Sequence, residues 1–282
     1  MGPITPEKAV DIFMAEQMPG DSRQARQLAR RQLIVEAVIA EGAIRIEDLT
    51  DRFGISLMTA HRDIDELVER GLLRKARGVV SATSTSQVES SDIYRATREL
   101  DEKRAIAETA ATLIEAGLSM FMDDSTTVLQ MARFLPARAP LTVITNSLPL
   151  MAELKSGRDI TLLGLGGQFY NWCNAFMGQM TRYEIARLRA DLFFVSMSAI
   201  TDGAVFHQSA ETVETKRAMF DASAKRVLLC DHTKFERRAL HHFARLDEFD
   251  VVIVNQGTPL PYIDRMRDSG INVMIAPVKS GA

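Results

Sequence analysis

Apolar positions recur at helical spacing through Leu28, Leu33, Val35, Val38 and Ile39, which predicts a helix over 23–40 that Glu41-Gly42 ends. A shorter stripe of Ile46, Leu49 and Phe53 predicts a second helix stopping at Gly54, the residue type best able to turn the chain with positive φ. A third helix starts behind Ser56, whose hydroxyl can accept from an unpaired amide of the first turn. Its apolar face is Leu57, Ala60, Ile64, Leu67 and Val68, and its polar face Met58, Thr59, His61, Arg62 and Asp65. Arg70-Gly71 ends it, and 72–81 reads as two short strands around a turn. A helix then runs from about Leu100 to Glu115. Beyond it the pattern changes to short continuous apolar runs separated by helical stretches: Ser119–Met122, Leu141–Ile144, Ile160–Leu163, Leu192–Met197, Val227–Cys230, Val251–Val254 and Val273–Ile275. Runs of this kind predict strands buried on both faces, hence a mostly parallel sheet in a three-layer α/β/α domain.

Helix, glycine turn and capped helix make the layout of a helix-turn-helix, whose second helix enters the major groove of DNA. Ser56, Met58, Thr59, His61 and Arg62 are the candidates for base and flanking phosphate contacts. The hairpin that follows occupies the position of a wing, and Arg74, Lys75 and Arg77 on it are the candidates for phosphate or minor-groove contacts. A solvated basic hairpin is the plainer alternative.

Composition changes this picture little. A net charge of -3 over 282 residues is not that of a chain that binds nucleic acid along its whole length, so DNA affinity must come from the mildly basic segment around Arg62, Arg70, Arg74, Lys75 and Arg77. Cys173 and Cys230 stand far apart without metal-ligand spacing, and Cys230 closes an apolar run as a buried free thiol would. No pattern calls for a metal or a cofactor. Neither a membrane-spanning stretch nor a signal-peptide core is visible, so the expected location is the cytoplasm. Residues 1–22 form an N-terminal extension with a short helical pattern at Ala9–Gln17, 23–81 the winged helix-turn-helix, 82–98 a small, polar linker, and 99–282 the α/β domain.

Ligands of open α/β sheets bind beyond the carboxyl ends of the strands. Here those ends read Asp123-Asp124-Ser125-Thr126-Thr127, Thr145-Asn146-Ser147, Gly164-Leu165-Gly166-Gly167, Ser196-Met197-Ser198 and Asp231-His232-Thr233-Lys234. Ser125-Thr126-Thr127 before a helix offers amides and hydroxyls to an anion. Gly166-Gly167 would allow a ligand close to the backbone. Lys216 and Lys234 can supply positive charge, and Asp124, Asn146 and Asp231 can hold sugar hydroxyls. Taken singly, each is also an ordinary cap, turn or surface corner. Five polar strand ends on one sheet edge point to a small phosphorylated or polyhydroxylated ligand.

From Arg31 onward the chain resembles the DeoR family of bacterial transcriptional regulators. The resemblance rests on Arg31, Val35 and Ile39 at spacings of four, on Ser56 to Ile64, and on Asp123 to Thr127, Thr145-Asn146-Ser147, Leu163 to Gly167, Glu214-Thr215-Lys216-Arg217 and Asp231 to Phe235. It implies a winged helix-turn-helix that binds double-stranded operator DNA, followed by a sensor domain similar to sugar-phosphate isomerases. It further implies a homo-oligomer, dimer or tetramer, repressing a sugar-catabolic operon under a phosphorylated sugar effector. Thr145 and Glu214 join Gly166, Gly167 and Lys216 among the effector-site candidates on this basis. Asp124-Ser125 departs from the family's usual Ser-Gly, and a carboxylate there would disfavour a phosphate set directly against it. Two other readings stand beside this one. In the first, the α/β domain is an isomerase-like enzyme using Asp124, Asp231 or Glu214 as base. In the second, it serves only to oligomerise a DNA-binding protein.

Overall fold

A computed structural model describes residues 23–41, 43–69, 73–82, 95–96 and 98–278. The N-terminal extension with its Ala9–Gln17 pattern, and most of the 82–98 linker, lie outside them. The chain divides into two compact units, 1–83 and 84–282.

In the first unit α1 (Arg23–Glu41) is followed by β1 (Ala43–Arg45), α2 (Ile46–Phe53), α3 (Leu57–Glu69), β2 (Leu73–Ala76) and β3 (Val79–Ala82). The helices bury Ile34, Val38, Ile46, Leu49, Ala60, Ile64 and Leu67 together, with Ile44, Leu73 and Val80 from the strands. Gly54 ends α2 in the left-handed conformation (φ 59°, ψ 35°), and its amide bonds back to the carbonyl of Thr50. Ser56 caps α3 by accepting from the Thr59 amide at 3.3 Å. Two expectations need correction. Leu57 does not join the buried stripe: it is 50% exposed, because at the first helical position it projects past the core. The wing is three-stranded, order β1-β3-β2, since Ala43–Arg45 pairs antiparallel with β3. Arg77 and Gly78 both take positive φ (50° and 76°), the conformation that a tight hairpin turn needs to follow the strand twist.

The second unit opens with α4 (Leu100–Ala111), and the seven apolar runs become seven parallel strands. They are β4 (Ser119–Met122), β5 (Leu141–Thr145), β6 (Ile160–Gly164), β9 (Ala190–Val195), β12 (Ser223–Cys230), β14 (Val251–Asn255) and β15 (Val273–Ala276). Their order is β15-β14-β12-β9-β4-β5-β6. The helices between them are α5 (Thr126–Leu129), α6 (Leu148–Leu154), α7 (Gln179–Ala186), α8 (Ala210–Asp221) and α9 (Leu260–Asp268). Alternate strand residues enter two separate cores. Phe121, Phe193, Leu228 and Val252 face one layer with Met219 and Phe220 of α8. Met120, Leu192, Val227 and Val251 face the other with Ile106 and Ala110 of α4. Truncating a fully buried phenylalanine such as Phe193 to alanine costs about 3–5 kcal/mol. Five short strands that the apolar pattern does not announce complete the unit. A hairpin joins β7 (Gln168–Tyr170) to β8 (Ala175–Met177), and a small antiparallel sheet contains β10 (Ala199–Thr201), β11 (Ala204–His207) and β13 (His241–Arg245). Both cysteines are buried thiols, and burial pushes that of Cys230 up.

Candidate DNA-reading face and ligand site

The exposed side of α3 presents Leu57, Met58 (74% exposed) and Arg62 at its amino-terminal half, with Thr59 half-buried. Thr59 and Ser56 join their hydroxyls at 2.9 Å, so both are partly engaged in the cap. Lys75 reaches back from β2 to α3, with its ammonium 2.7 Å from Asp65 Oδ1 and 2.9 Å from His61 Nδ1. The wing is thereby tied to the helix through two residues placed among the DNA-facing candidates. Arg77 is exposed at the hairpin turn, and Arg74 lies on β2.

What sets the pose of α3 is a residue that pattern reading passed over. Asp63 sits on the buried stripe between Ala60 and Ile64 and is 1% exposed. Arg30 Nε donates to its Oδ2 at 2.7 Å and Arg31 Nε to its Oδ1 at 2.8 Å, both from α1, with Gln27 at 3.4 Å. Burial opposes the charge on Asp63, but the two guanidinium groups outweigh it and hold the carboxyl below its usual range. A carboxylate in an apolar stripe demands such partners, which was the signal available in the sequence.

In the second unit all seven strands are parallel, but β5 and β6 are added outward from β4 on one side and β12, β14 and β15 outward from β9 on the other, so the topological switch point lies between β4 and β9. Asp123 bridges it: Oδ1 accepts from the Ser125 amide at 2.9 Å and Oδ2 from the Ser196 amide at 3.0 Å. From α8, Lys216 Nζ lies 2.8 Å from Asp123 Oδ2 and 3.2 Å from Asp124 Oδ1, and donates to the Ser196 carbonyl at 3.0 Å. All three side chains are buried. Burial works against charge on Asp124, but Lys216, Arg95 and His207 together hold it below the usual carboxylate range. The carboxylate that departs from the family pattern is therefore matched by Lys216, and the Lys216 ammonium is already engaged by protein groups.

The other strand ends are built on caps and turns. Ser125 and Ser147 accept from the amides of Val128 and Leu150, and Thr145 Oγ1 accepts from the Ser147 amide at 3.1 Å. The helix behind Ser125, α5, has only four residues before the chain tightens. Asn146 Nδ2 donates to the Phe176 carbonyl, while its buried Oδ1 has no hydrogen-bond partner among the described residues and suits a ligand hydroxyl. Gly166 is exposed with open space around it, but Gly167 (φ 145°) is not a ligand-side glycine. A Cβ there would fall 2.1 Å from Thr181 Oγ1 and 2.8 Å from the Met177 carbonyl, so the close approach it permits is by its own chain. Glu214 is exposed and pairs with Arg182 at 2.9 Å. Two residues along a helix from buried Lys216, it points away from that group.

At the end of β12, Asp231 Oδ1 accepts from the Thr233 amide and hydroxyl, and Lys234 Nζ stands 3.9 Å from Oδ2. Two further cations belong here. Lys103 on α4 is 4% exposed and donates to the carbonyl of Arg95. Burial, then the neighbouring Lys234, pulls its ammonium down to about 7. Arg95 lies 5.9 Å from the Trp172 ring centre, which is itself 6.2 Å from the His207 ring. The sequence signal for Lys103 was its place on the buried stripe of Ile106, Ala107 and Ala110. Among the described residues no cluster of His, Cys, Asp or Glu suits a metal ion, and no helix is long and apolar enough to cross a membrane.

Comparison with known proteins places the chain. Residues 30–86 match the DeoR-like helix-turn-helix domain and residues 98–256 the DeoR C-terminal sensor domain. The transcriptional repressor AccR of Agrobacterium fabrum is 32% identical over 232 residues, 81% of this chain and 90% of that one. The lactose phosphotransferase system repressor of Staphylococcus aureus is 33% identical over 225 residues, 79% and 89% of the two chains. The HTH-type transcriptional regulator YgbI of Escherichia coli is 31% identical over 230 residues, 82% and 90%. Among solved structures, ribose 5-phosphate isomerase A of Methanocaldococcus jannaschii aligns over 47% of this chain and 53% of its own at 14% identity, with a TM-score of 0.35, a likeness too weak to build on. With both domains matched in order and relatives above 30% identity over about four-fifths of its length, the chain belongs to the DeoR family of transcriptional regulators.

Proposed function

We propose that this regulator is a cytoplasmic, homo-oligomeric repressor of a sugar or carbohydrate catabolic operon, whose operator binding is modulated by a phosphorylated sugar. The observation that carries the reading is the buried cationic cluster of Lys103 and Lys234 around Asp231, at the sheet edge of a chain that also bears a capped reading helix. Arg62 and Met58, with Ser56, Thr59 and His61, read the operator in the major groove, and Arg74, Lys75 and Arg77 grip phosphates. Asn146, Asp124, Thr126, Thr127 and the Gly166 backbone face the sugar, and Lys234 its phosphate. Relatives named as a lactose phosphotransferase system repressor and a transcriptional repressor support the sign and the substrate class. The geometry favours a sensor over an isomerase-like catalyst. Asp124 and Asp231 are both buried yet held below the usual carboxylate range by adjacent cations, which makes them weak proton acceptors at neutral pH.

The test measures binding of DNA upstream of the regulated genes together with thermal shift against a panel of hexose and pentose phosphates. A ligand at a hundredfold excess over Kd stabilises the native state by about 2.7 kcal/mol. Arg62→Ala is expected to weaken operator binding at matched salt and keep the ligand-induced shift. Lys234→Ala is expected to keep operator binding and lose the shift. Wild-type operator affinity in Arg62→Ala would mean that another surface reads the DNA. Silence across the whole panel would favour a sensor domain that only oligomerises.

A further inference from the structure

Two parts of the ligand edge meet at the β7–β8 hairpin. Its Phe176 donates its amide to the Asn146 carbonyl and accepts from Asn146 Nδ2, both at 2.9 Å, and the Asn174 carbonyl accepts from the Leu148 amide at 2.9 Å. The next residue of β8, Met177, has its Sδ 3.6 Å from Thr212 Oγ1 in the first turn of α8. The hairpin turn carries Trp172, the only tryptophan of the chain, whose ring centre lies 6.2 Å from that of His207. His207 in turn leads into α8 through Gln208 and the capping Ser209. The hairpin thus draws the end of β5 and the entry to α8 together. Asp124 borders the same place: Lys216 of α8 stands 3.2 Å from it, and His207 helps to hold it ionised.

The charges at this edge close on one another, Lys216 against Asp123 and Asp124. Two neutral atoms stay open. Asn146 is 1% exposed, and its Oδ1 has no hydrogen-bond partner among the described residues. Gln208 likewise has a buried Oε1 with no hydrogen-bond partner among them. A buried carbonyl oxygen without a donor is unfavourable, and what satisfies it is an O–H or N–H rather than another acceptor. A phosphate group offers chiefly acceptor oxygens, whereas every sugar hydroxyl brings a donor.

We propose that Gln208 is a ligand contact that reads sugar hydroxyls: with Asn146 it forms a hydroxyl-binding wall beneath the β7–β8 hairpin, and the phosphate of the ligand is turned away from it. This rests on the phosphorylated-sugar reading of the site and adds the residues that select among sugars. Selection follows from the two acceptors, because a sugar lacking the matching hydroxyl leaves an oxygen buried and unpaired.

The experiment titrates the full-length wild type and Gln208→Met with the panel of hexose and pentose phosphates and with inorganic phosphate, following thermal shift and Trp172 emission. In the wild type at least one sugar phosphate is expected to raise the melting temperature and to change the emission. In Gln208→Met the Kd for that sugar phosphate is expected to rise about tenfold, the worth of one hydrogen bond. Its Kd for inorganic phosphate stays unchanged, and the empty variant melts no lower, since an unpaired acceptor has been removed. A sugar phosphate bound equally well by both proteins overturns the assignment of Gln208 and leaves the sugar-phosphate reading standing. An equal loss for inorganic phosphate does the same, by putting Gln208 at the phosphate. A wild-type thermal shift without a change in Trp172 emission overturns the placement beneath the hairpin. An empty variant that melts lower, or does not fold, shows that the amide already serves the fold and also overturns the assignment. A wild type silent to the whole panel overturns both readings.

Discussion

Burial and the facing Lys234 ammonium draw Lys103 down to about 7, against the pull of Asp231 and with further repulsion from Arg95 and Arg237. An unfolded chain keeps lysine protonated to about pH 10.4. Between those values the folded state binds fewer protons than the unfolded one, so Lys103 makes stability climb as pH rises through that window. The slope is at most about 1.4 kcal/mol per pH unit for one group. Urea midpoints of the wild type are expected to rise from about pH 7 to about pH 9 relative to those of Lys103→Met, in which that component is absent. Asp63 has the opposite logic. Its folded carboxyl is held low, so its contribution is complete above about pH 4 and is lost on acidification through the folded value. The apolar pattern alone singled out neither residue, although the place of each was visible in it. Both sit on apolar stripes, where a charge implies a buried partner, but the partner is far away in sequence or lies on another element.

Elements with a strong period were legible. The seven apolar runs became seven parallel strands because β-branched and aromatic residues packed on both faces leave no polar alternation to confuse them. β1, β7, β8, β10 and β11 were not legible, since strands of three or four residues carry too little pattern. The two glycine signals were visible but differed in kind. At Gly54 an added methyl group would meet nothing within 4 Å, so glycine is needed only for its φ of 59°. Gly167 needs glycine for space as well as for φ. Gly54→Ala is accordingly expected to lower stability by about 1 kcal/mol. Gly167→Ala is expected to lower it by about 3 kcal/mol, because backbone must move. Chemical denaturation of the two variants beside the wild type checks the order, and equal losses would contradict the contact at Thr181.

At the scale of the whole molecule, both large apolar cores lie wholly within residues 84–282. A fragment of those residues is expected to unfold cooperatively and to keep the sugar-phosphate thermal shift while losing operator binding. A fragment that fails to fold would show that the first unit supplies part of its stability. The clasp of Asp63 by Arg30 and Arg31 has a consequence for how such a regulator diversifies. It poses α3 from its inner side, while Leu57, Met58 and Arg62 lie outside the packed interior. Those outward positions can be exchanged with the helix still seated. If this face reads the operator as proposed, duplicated copies drift toward new operators by substitutions that leave folding untouched, and a designer can rewrite target preference on the same frame.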